Sequence, residues 1–181
     1  MKVIETPFAD LVVIQPDIIG DERGFFTRTL CKDELAKGGL HSNFVQENVS
    51  GNTNKATLRG LHFQSAPYEE IKLVTCLRGA VWDVVVDTRL ASPTWGKWFA
   101  IELNENNLKQ LYIPKGFAHG FITLADHSLI HYHMSTAYQP NAATGIRWDD
   151  PDLAIDWPIK AVVLSEKDRS LQTWKEFNNE K

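Results

Sequence analysis

The sequence is poor in cysteine, in basic charge and in long hydrophobic runs, and each shortage excludes a class of protein. Its two cysteines, Cys31 and Cys76, are too few for a disulfide framework. Acidic residues outnumber basic ones, 23 to 19, whereas a nucleic-acid surface usually shows a basic excess or stripe. No apolar run approaches the roughly 20 residues of a membrane span, and no charged-then-apolar leader opens the chain. We therefore predict a cytoplasmic protein with no nucleic-acid or membrane partner.

The composition is that of a globular protein. Hydrophobic residues make up 43% of the 181 positions and charged residues 23%, outside the regime of disordered chains. No repeat, low-complexity tract or linker interrupts the chain. We predict a single domain covering residues 1–181, a length that can bury a sizeable core.

The pattern of apolar residues predicts an all-β fold. Nine short segments are rich in β-branched and aromatic residues. They recur at intervals of about 8 to 15 residues and are separated by turns that contain Gly or Pro, a pattern typical of β-sandwiches and β-barrels. The predicted strands are Leu11–Ile14, Phe44–Val49, Leu58–Gln64, Ile71–Leu77, Val81–Asp87, Trp98–Leu103, Gln110–Ile113, Gly116–Leu124 and Leu129–Thr136. One helix is predicted from Lys32 to Lys37, ending at Gly38 and Gly39.

The C-terminal part differs in character. Residues 148–158 are turn-rich, carry two tryptophans, and are expected to pack over the barrel. Residues 171–181 fit either a short helix or a frayed tail, and the sequence does not choose between them.

Ionisable residues interrupt apolar rows on three predicted strands. Because side chains two apart share a strand face, His62 is expected beside Leu58 and Gln64, with Arg59 on the opposite face. Lys72 and His119 interrupt apolar rows in the same way. Burying such groups is costly unless they are paired, which indicates a polar cavity. A hydrogen-bonded core histidine and an edge lysine fit the same pattern, so alternation alone indicates a pocket and no reaction.

Several segments, in order along nearly the whole chain, resemble the dTDP-4-dehydrorhamnose 3,5-epimerase family. The match is specific because the set is ordered, whereas a single Gly-Phe-Ala-His-Gly-Phe segment would be weak. The segments are Asp21–Phe26, Phe44–Asn48, Arg59–Gln64, Lys72–Val74, Asp83–Arg89, Ser92–Gly96, Ile113–Phe121, Trp148–Pro151, Asp156–Pro158 and Ser165–Arg169.

The resemblance implies an all-β jelly-roll (cupin) barrel with a few short helices. It also implies a homodimer formed partly by strands exchanged near the N-terminus. The implied activity is that of a cofactor-independent isomerase, which inverts C3, C5 or both in a nucleotide-linked 4-keto-6-deoxy sugar by proton removal and return through an enolate.

By the same resemblance, four residues are the predicted catalytic set. His62 is the general base, oriented by Asp168, and Tyr132 is the general acid. An imidazole with a pKa near 6.5 suits proton removal, and a phenol with a pKa near 10 stays protonated at neutral pH. The developing oxyanion requires a fixed donor, and Lys72 is the candidate.

Other positions are predicted to bind substrate. The set is Arg23, Phe26, Arg28, Gln46, Asn48, Arg59, His119 and Tyr138. Two departures from the family pattern stand out: Arg28 lies in the Thr27-Arg28 pair where a Glu is typical of dTDP users, and Ala137 replaces a common aromatic. The charge reversal leaves GDP and CDP open as alternatives to dTDP, and the missing aromatic leaves open which carbon is inverted.

His131 and His133 raise the question of a metal, since cupins often bind metals through a His-x-His pair. Alternation places both on the face opposite Tyr132, so they point outward if Tyr132 points inward. We predict no metal. Two competing functions remain: a single-position epimerase or ketoisomerase, and a non-catalytic sugar-nucleotide-binding jelly roll.

Overall fold

The computed structural model describes residues 1–179 and folds them mainly into strands. The strands are β1 (Lys2–Glu5), β2 (Val12–Gln15), β3 (Ile18–Asp21), β4 (Gly24–Thr27), β5 (Gln46–Asn52), β6 (Leu58–Gln64), β7 (Lys72–Arg78), β8 (Ala80–Asp87), β9 (Trp98–Asn104), β10 (Gln110–Ile113), β11 (Phe117–Thr123), β12 (Ser128–Met134) and β13 (Ala143–Gly145). The helices are α1 (Lys32–Lys37), α2 (Glu166–Arg169) and α3 (Trp174–Asn179).

Two antiparallel sheets form the body of the fold. One has the order β1-β2-β10-β7-β12-β5 and the other β13-β6-β11-β8-β9, while β3 and β4 form a separate hairpin. Their facing sides bury one apolar cluster, in which Val74 and Cys76 from β7 meet Val85 from β8 and Phe117 and Phe121 from β11. Alternation along each strand sends these side chains inward. The prediction of an all-β fold is confirmed.

The outer faces of both sheets are also covered. Helix α1 places Leu35 on the six-stranded sheet, beside Ile14 and Leu73. The C-terminal segment covers the other sheet, where Leu153 and Trp174 pack in a second cluster. This confirms that the turn-rich segment packs over the barrel. Among residues 1–179, no helix has the length and apolar character needed to cross a membrane.

All nine predicted strands are present, with ends shifted by up to a few residues, and α1 has its predicted bounds. Gly39 follows α1 with φ of +74°. The sequence left a short helix and a frayed tail open for residues 171–181. Residues 174–179 are helical, and Glu180 and Lys181 lie outside the described residues. The missed elements are β1, β3, β4, β13 and α2. These are short, and most carry few buried side chains, so alternation hardly marks them.

The prediction that Arg59 and His62 occupy opposite faces is wrong. Both side chains line the same pocket although they are three residues apart. Between them Gly60 has φ of +132°, and the pairing of β6 with β11 shifts register there, since His119 pairs with His62 but Phe121 pairs with Arg59. The irregularity breaks simple alternation, which assumes a regular strand.

Candidate active site

A pocket opens between the two sheets at the end where β6, β7 and β12 meet. It has two adjoining lobes, with volumes of about 330 and 280 Å³. The lobes share Asn48, Arg59, His62, Lys72 and Met134. Nine of the twelve predicted site residues line one lobe or both: His62, Tyr132, Asp168, Lys72, Gln46, Asn48, Arg59, His119 and Tyr138.

His62 is held by a carboxylate from the C-terminal part of the chain. Its Nε2 lies 2.6 Å from Asp168 Oδ1, and its side chain is 40% exposed to the pocket. Helix α2 carries Asp168, whose backbone N–H donates to the capping Ser165 hydroxyl. Burial, the largest single influence, opposes ionisation of Asp168. The hydrogen bond and charge of His62, together with hydrogen bonds from Ser165 and the backbone of Gly60, outweigh it and hold the pKa of Asp168 below its ordinary value. The carboxylate therefore stays charged and orients the imidazole.

Tyr132 lies in the second lobe together with His62. It belongs to β12 and packs edge-on against the ring of His119, with ring centroids 6.2 Å apart. Burial, and next the negative charge of Asp83, raise the pKa of Tyr132 above 10. The phenol therefore remains protonated throughout the neutral range.

Lys72 is a buried cation with a buried partner. Its Nζ lies 3.0 Å from Glu70 Oε1, and the two side chains are 8% and 4% exposed. The ammonium also donates to the backbone carbonyl of His62, at 3.1 Å. These contacts orient the charge beside the histidine. Sequence reasoning missed Glu70, although the need of a buried lysine for a partner was a signal.

His119 pairs with Asp83, a second residue that sequence reasoning missed. Its Nε2 lies 3.0 Å from both carboxylate oxygens, and both side chains are buried. Asp83 lies between inward-facing valines on β8. It therefore interrupts an apolar row as His119 does, and the same pattern could have identified it. The pair fixes the imidazole at the wall of the second lobe.

Polar side chains line the first lobe at its open end. The amide of Gln46 donates to Asn48 at 3.2 Å and accepts from the backbone of Tyr138 at 3.0 Å. Arg59 is aimed by a 2.8 Å hydrogen bond to Asn52. Together they form an exposed surface rich in donors, suited to phosphate and ribose oxygens.

Arg23, Phe26 and Arg28 lie outside this pocket. Arg23 is exposed at the β3–β4 turn and pairs with Asp21. Phe26 and Arg28 line a separate cavity of about 130 Å³, where Arg28 pairs with Glu34 at 2.7 Å. Within one chain, therefore, the structure does not bring these three predicted residues to the site.

The orientation of β12 agrees with the alternation argument. Tyr132 faces the pocket, while the rings of His131 and His133 lie together with a centroid separation of 4.5 Å and line neither lobe. The pair is therefore not part of this pocket.

Comparison with known proteins agrees with the fold and with the family that the sequence resembles. The sequence model described as dTDP-4-dehydrorhamnose 3,5-epimerase matches residues 5–176. The enzyme of that name from Escherichia coli K12 is 43% identical over 179 residues, covering 98% of this chain and 96% of its own.

Solved structures agree equally well. The dTDP-4-dehydrorhamnose 3,5-epimerase of Bacillus anthracis, crystallised with TDP and PPi, superposes with a TM-score of 0.93 at 44% identity, covering 95% of this chain and 98% of the other. The dTDP-6-deoxy-D-glucose-3,5-epimerase of Legionella pneumophila, in complex with dTDP-4-keto-L-rhamnose, gives 0.93 at 40% identity, with 99% and 95% covered.

These likenesses span nearly the whole chain and confirm the cupin-type fold and the isomerase class predicted from the sequence. The ordered segments that suggested the resemblance include many of the residues that line the pocket, among them His62, Lys72 and Asp168, but not Tyr132. The chain belongs to the dTDP-4-dehydrorhamnose 3,5-epimerase family.

Proposed function

We propose that the chain inverts C3 and C5 of a dTDP-linked 4-keto-6-deoxy sugar by deprotonation to an enolate and reprotonation on the opposite face. The observation that carries this is that an imidazole paired with a carboxylate and a neutral phenol share one small lobe. A hydrogen beside the C4 ketone is acidic because its loss places negative charge on the ketone oxygen. Inversion then needs a base and an acid in one cavity.

His62 is the proposed base. With Nε2 donating to Asp168, the second ring nitrogen, Nδ1, is the proton acceptor. The proton taken from carbon gives an imidazolium, which the ionised Asp168 stabilises at 2.6 Å. Both the depressed pKa of Asp168 and its burial support this role.

Tyr132 is the proposed acid. Its raised pKa keeps the phenolic proton in place until the enolate carbon accepts it. The resulting phenolate recovers a proton from solvent before the next inversion. His62 and Tyr132 belong to different sheets, which supports delivery from opposite sides of a sugar placed between them.

Lys72 is the proposed donor that stabilises the negative charge on the enolate oxygen. Its ammonium borders both lobes, and its fixed partners, Glu70 and the carbonyl of His62, leave little reorganisation at the moment of reaction. A preorganised donor of this kind contributes about 3 kcal/mol to transition-state binding. His119, held by Asp83, lies at the same lobe and is the proposed second contact to the sugar.

The first lobe is the proposed nucleotide end, bound by Gln46, Asn48, Arg59 and Tyr138. The Bacillus anthracis structure holds TDP and PPi, and the Legionella pneumophila structure holds a dTDP-linked keto sugar, which supports dTDP as the nucleotide. Arg28 carries charge opposite to the typical Glu, so GDP and CDP are the comparison substrates.

The proposed assembly is a homodimer in which each chain folds as a single domain. The β3–β4 hairpin exposes Ile19, Phe25 and Phe26, and β5 is an edge strand beside the pocket. A hairpin from a second copy reaching that edge would bring Arg23, Phe26 and Arg28 to the site. The cytoplasmic location stays a prediction.

The decisive experiment compares His62→Asn with His127→Asn, a change at an exposed histidine away from the pocket. Both variants are incubated with dTDP-, GDP- and CDP-linked 4-keto-6-deoxy sugars in deuterated water, and NMR follows deuterium at each carbon. We expect His62→Asn to abolish exchange and retain nucleotide binding, and the control to exchange normally at C3 and C5 of the dTDP sugar.

The other outcomes separate the competing functions. Exchange at one carbon only supports a single-position epimerase, and movement of the carbonyl supports a ketoisomerase. Binding of nucleotide sugar without exchange by the unaltered protein supports a non-catalytic binding protein. Normal exchange by His62→Asn would contradict the assignment of the base.

A further inference from the structure

The outer face of the six-stranded sheet carries a cluster that the epimerase chemistry does not use. On β12, His131 and His133 point away from the pocket, and His133 is the direct cross-strand partner of Glu47 on the edge strand β5. The neighbouring β5 residues Gln46 and Asn48 line the pocket instead. The cluster and the active site therefore share two strands but occupy opposite faces.

The ligand atoms in this cluster lie near enough to one another to hold a metal ion. His133 Nδ1 lies 3.4 Å from Glu47 Oε1, and His131 Nε2 lies 3.5 Å from Glu47 Oε2. One atom from each residue can be chosen so that all three lie within 4.8 Å of one another. Ligands of a tetrahedral Zn²⁺ with bonds of 2.0–2.1 Å lie about 3.3 Å apart, whereas an octahedral Mg²⁺ shell needs about 2.9 Å.

His133 supplies an independent sign that a partner is required. The residue is 3% exposed, and neither ring nitrogen has a hydrogen-bond partner among the described residues. The 3.4 Å approach to Glu47 lacks hydrogen-bond geometry, so it does not satisfy Nδ1. Buried polar atoms nearly always have partners, and a cation would provide one.

Packing restrains the imidazole of His133. The ring of Phe44 packs against His133 with a centroid separation of 5.7 Å, which restricts its orientation. Glu47 is 62% exposed in the single chain.

We propose that Glu47, His131 and His133 bind one divalent cation of the zinc class on the outer face of the sheet, with a water in the fourth position. Two imidazoles and one carboxylate suit Zn²⁺, Co²⁺, Ni²⁺ or Cu²⁺ rather than Mg²⁺ or Ca²⁺. The cation joins the edge strand β5 to β12, so its role is structural. This proposal departs from the sequence prediction of no metal, which considered the same outward-facing histidine pair.

The test uses the full chain, stripped with EDTA and titrated with Co²⁺ and then with Zn²⁺. We expect one Co²⁺ per chain, with the intense visible absorption of a tetrahedral ion, displaced by one equivalent of Zn²⁺. His131→Ala and Glu47→Gln should each lower the affinity for Zn²⁺, measured by calorimetry, by about tenfold or more. His127→Asn, the matched control, should bind as the unaltered chain does.

Thermal unfolding provides the second readout. Saturating Zn²⁺ should raise the Tm of the unaltered chain and of His127→Asn, but not that of His131→Ala, because only a ligand that binds the folded state stabilises it. His131 and Glu47 are more exposed than His133, so their variants keep the test valid if His133→Ala fails to fold. No stoichiometric binding, or equal binding by His131→Ala, would overturn the proposal.

Discussion

Asp168 places a carboxylate oxygen 2.6 Å from Nε2 of His62, across 106 positions of sequence. The short helix α2 carries the carboxylate to the histidine on β6, and its Ser165 cap fixes the helix start. The contact selects which imidazole nitrogen carries the proton. In the proposed mechanism, the other nitrogen is then the acceptor of the substrate proton.

Asp168→Asn should therefore reduce the rate of deuterium exchange into the keto sugar by roughly a hundredfold or more, since an oriented general base contributes about that much. Nucleotide affinity should change little. Asp149→Asn, which breaks the surface pair with Arg147, is the control and should exchange at the normal rate. An Asp168→Asn variant that exchanged as fast as this control would show that the carboxylate does not assist the base.

Tyr132→Phe should separate exchange from inversion. Abstraction and return of a proton on one face needs only His62, whereas inversion needs a donor on the other face. We expect net inversion to fall much further than exchange when both are followed by NMR in deuterated water. Equal losses of the two would argue against the donor role.

The pH dependence of kcat should show no basic limb from Tyr132 below about pH 10. Burial and the charge of Asp83 raise the pKa of this phenol, so its proton is present in the folded state up to and beyond the ordinary value. Because the folded pKa is the higher one, the neutral phenol favours folding, and this stabilisation is fully present below about pH 10 and lost as the pH rises through the folded value. Rates measured from pH 6 to 10 would test this, and a limb in that range that Tyr132→Phe removed would contradict it.

Glu70→Gln should destabilise the fold by about 3 kcal/mol, because it leaves the buried ammonium of Lys72 without its counter-ion. Urea unfolding measures the change. Glu166→Gln, which removes an exposed pair with Arg169 at 3.6 Å, should cost less than about 1 kcal/mol. Adding Lys72→Met to Glu70→Gln should recover stability but not activity, and a Glu70→Gln variant as stable as the control would count against the buried pair.

Gly60→Ala should destabilise the fold by about 2 kcal/mol or more and weaken substrate binding. A Cβ at this position would lie 2.5 Å from the Cα of Gly120, and φ is +132°. The distortion would move Arg59 relative to His62. Gly51→Ala is the matched control, because no atom lies within 4 Å of its Cβ position, and its stability should stay within about 0.5 kcal/mol. Urea unfolding and nucleotide titration measure both effects, and equal behaviour of the two variants would refute the packing argument.

The alternation of apolar residues that predicts the strands also located part of the pocket. Lys72 and His119 interrupt inward apolar rows, and alternation along a regular strand is enough to place them inside. Alternation failed at Arg59, where the shifted register at Gly60 breaks the pattern. It could not locate Glu70, which precedes β7 and belongs to no row.

By itself, the sequence determined the all-β class, nine of the thirteen described strands and the family, because periodicity and ordered segments are local properties that one chain displays. The resemblance already implied that Asp168 orients His62, and the structure has that contact. Only the tertiary structure showed that Asp83 meets His119 and that Glu47 meets the outward histidines. Such pairings join distant strands and helices, and their partners depend on how the sheets stack and where the chain returns. That information lies in the packing of side chains, which no local pattern encodes.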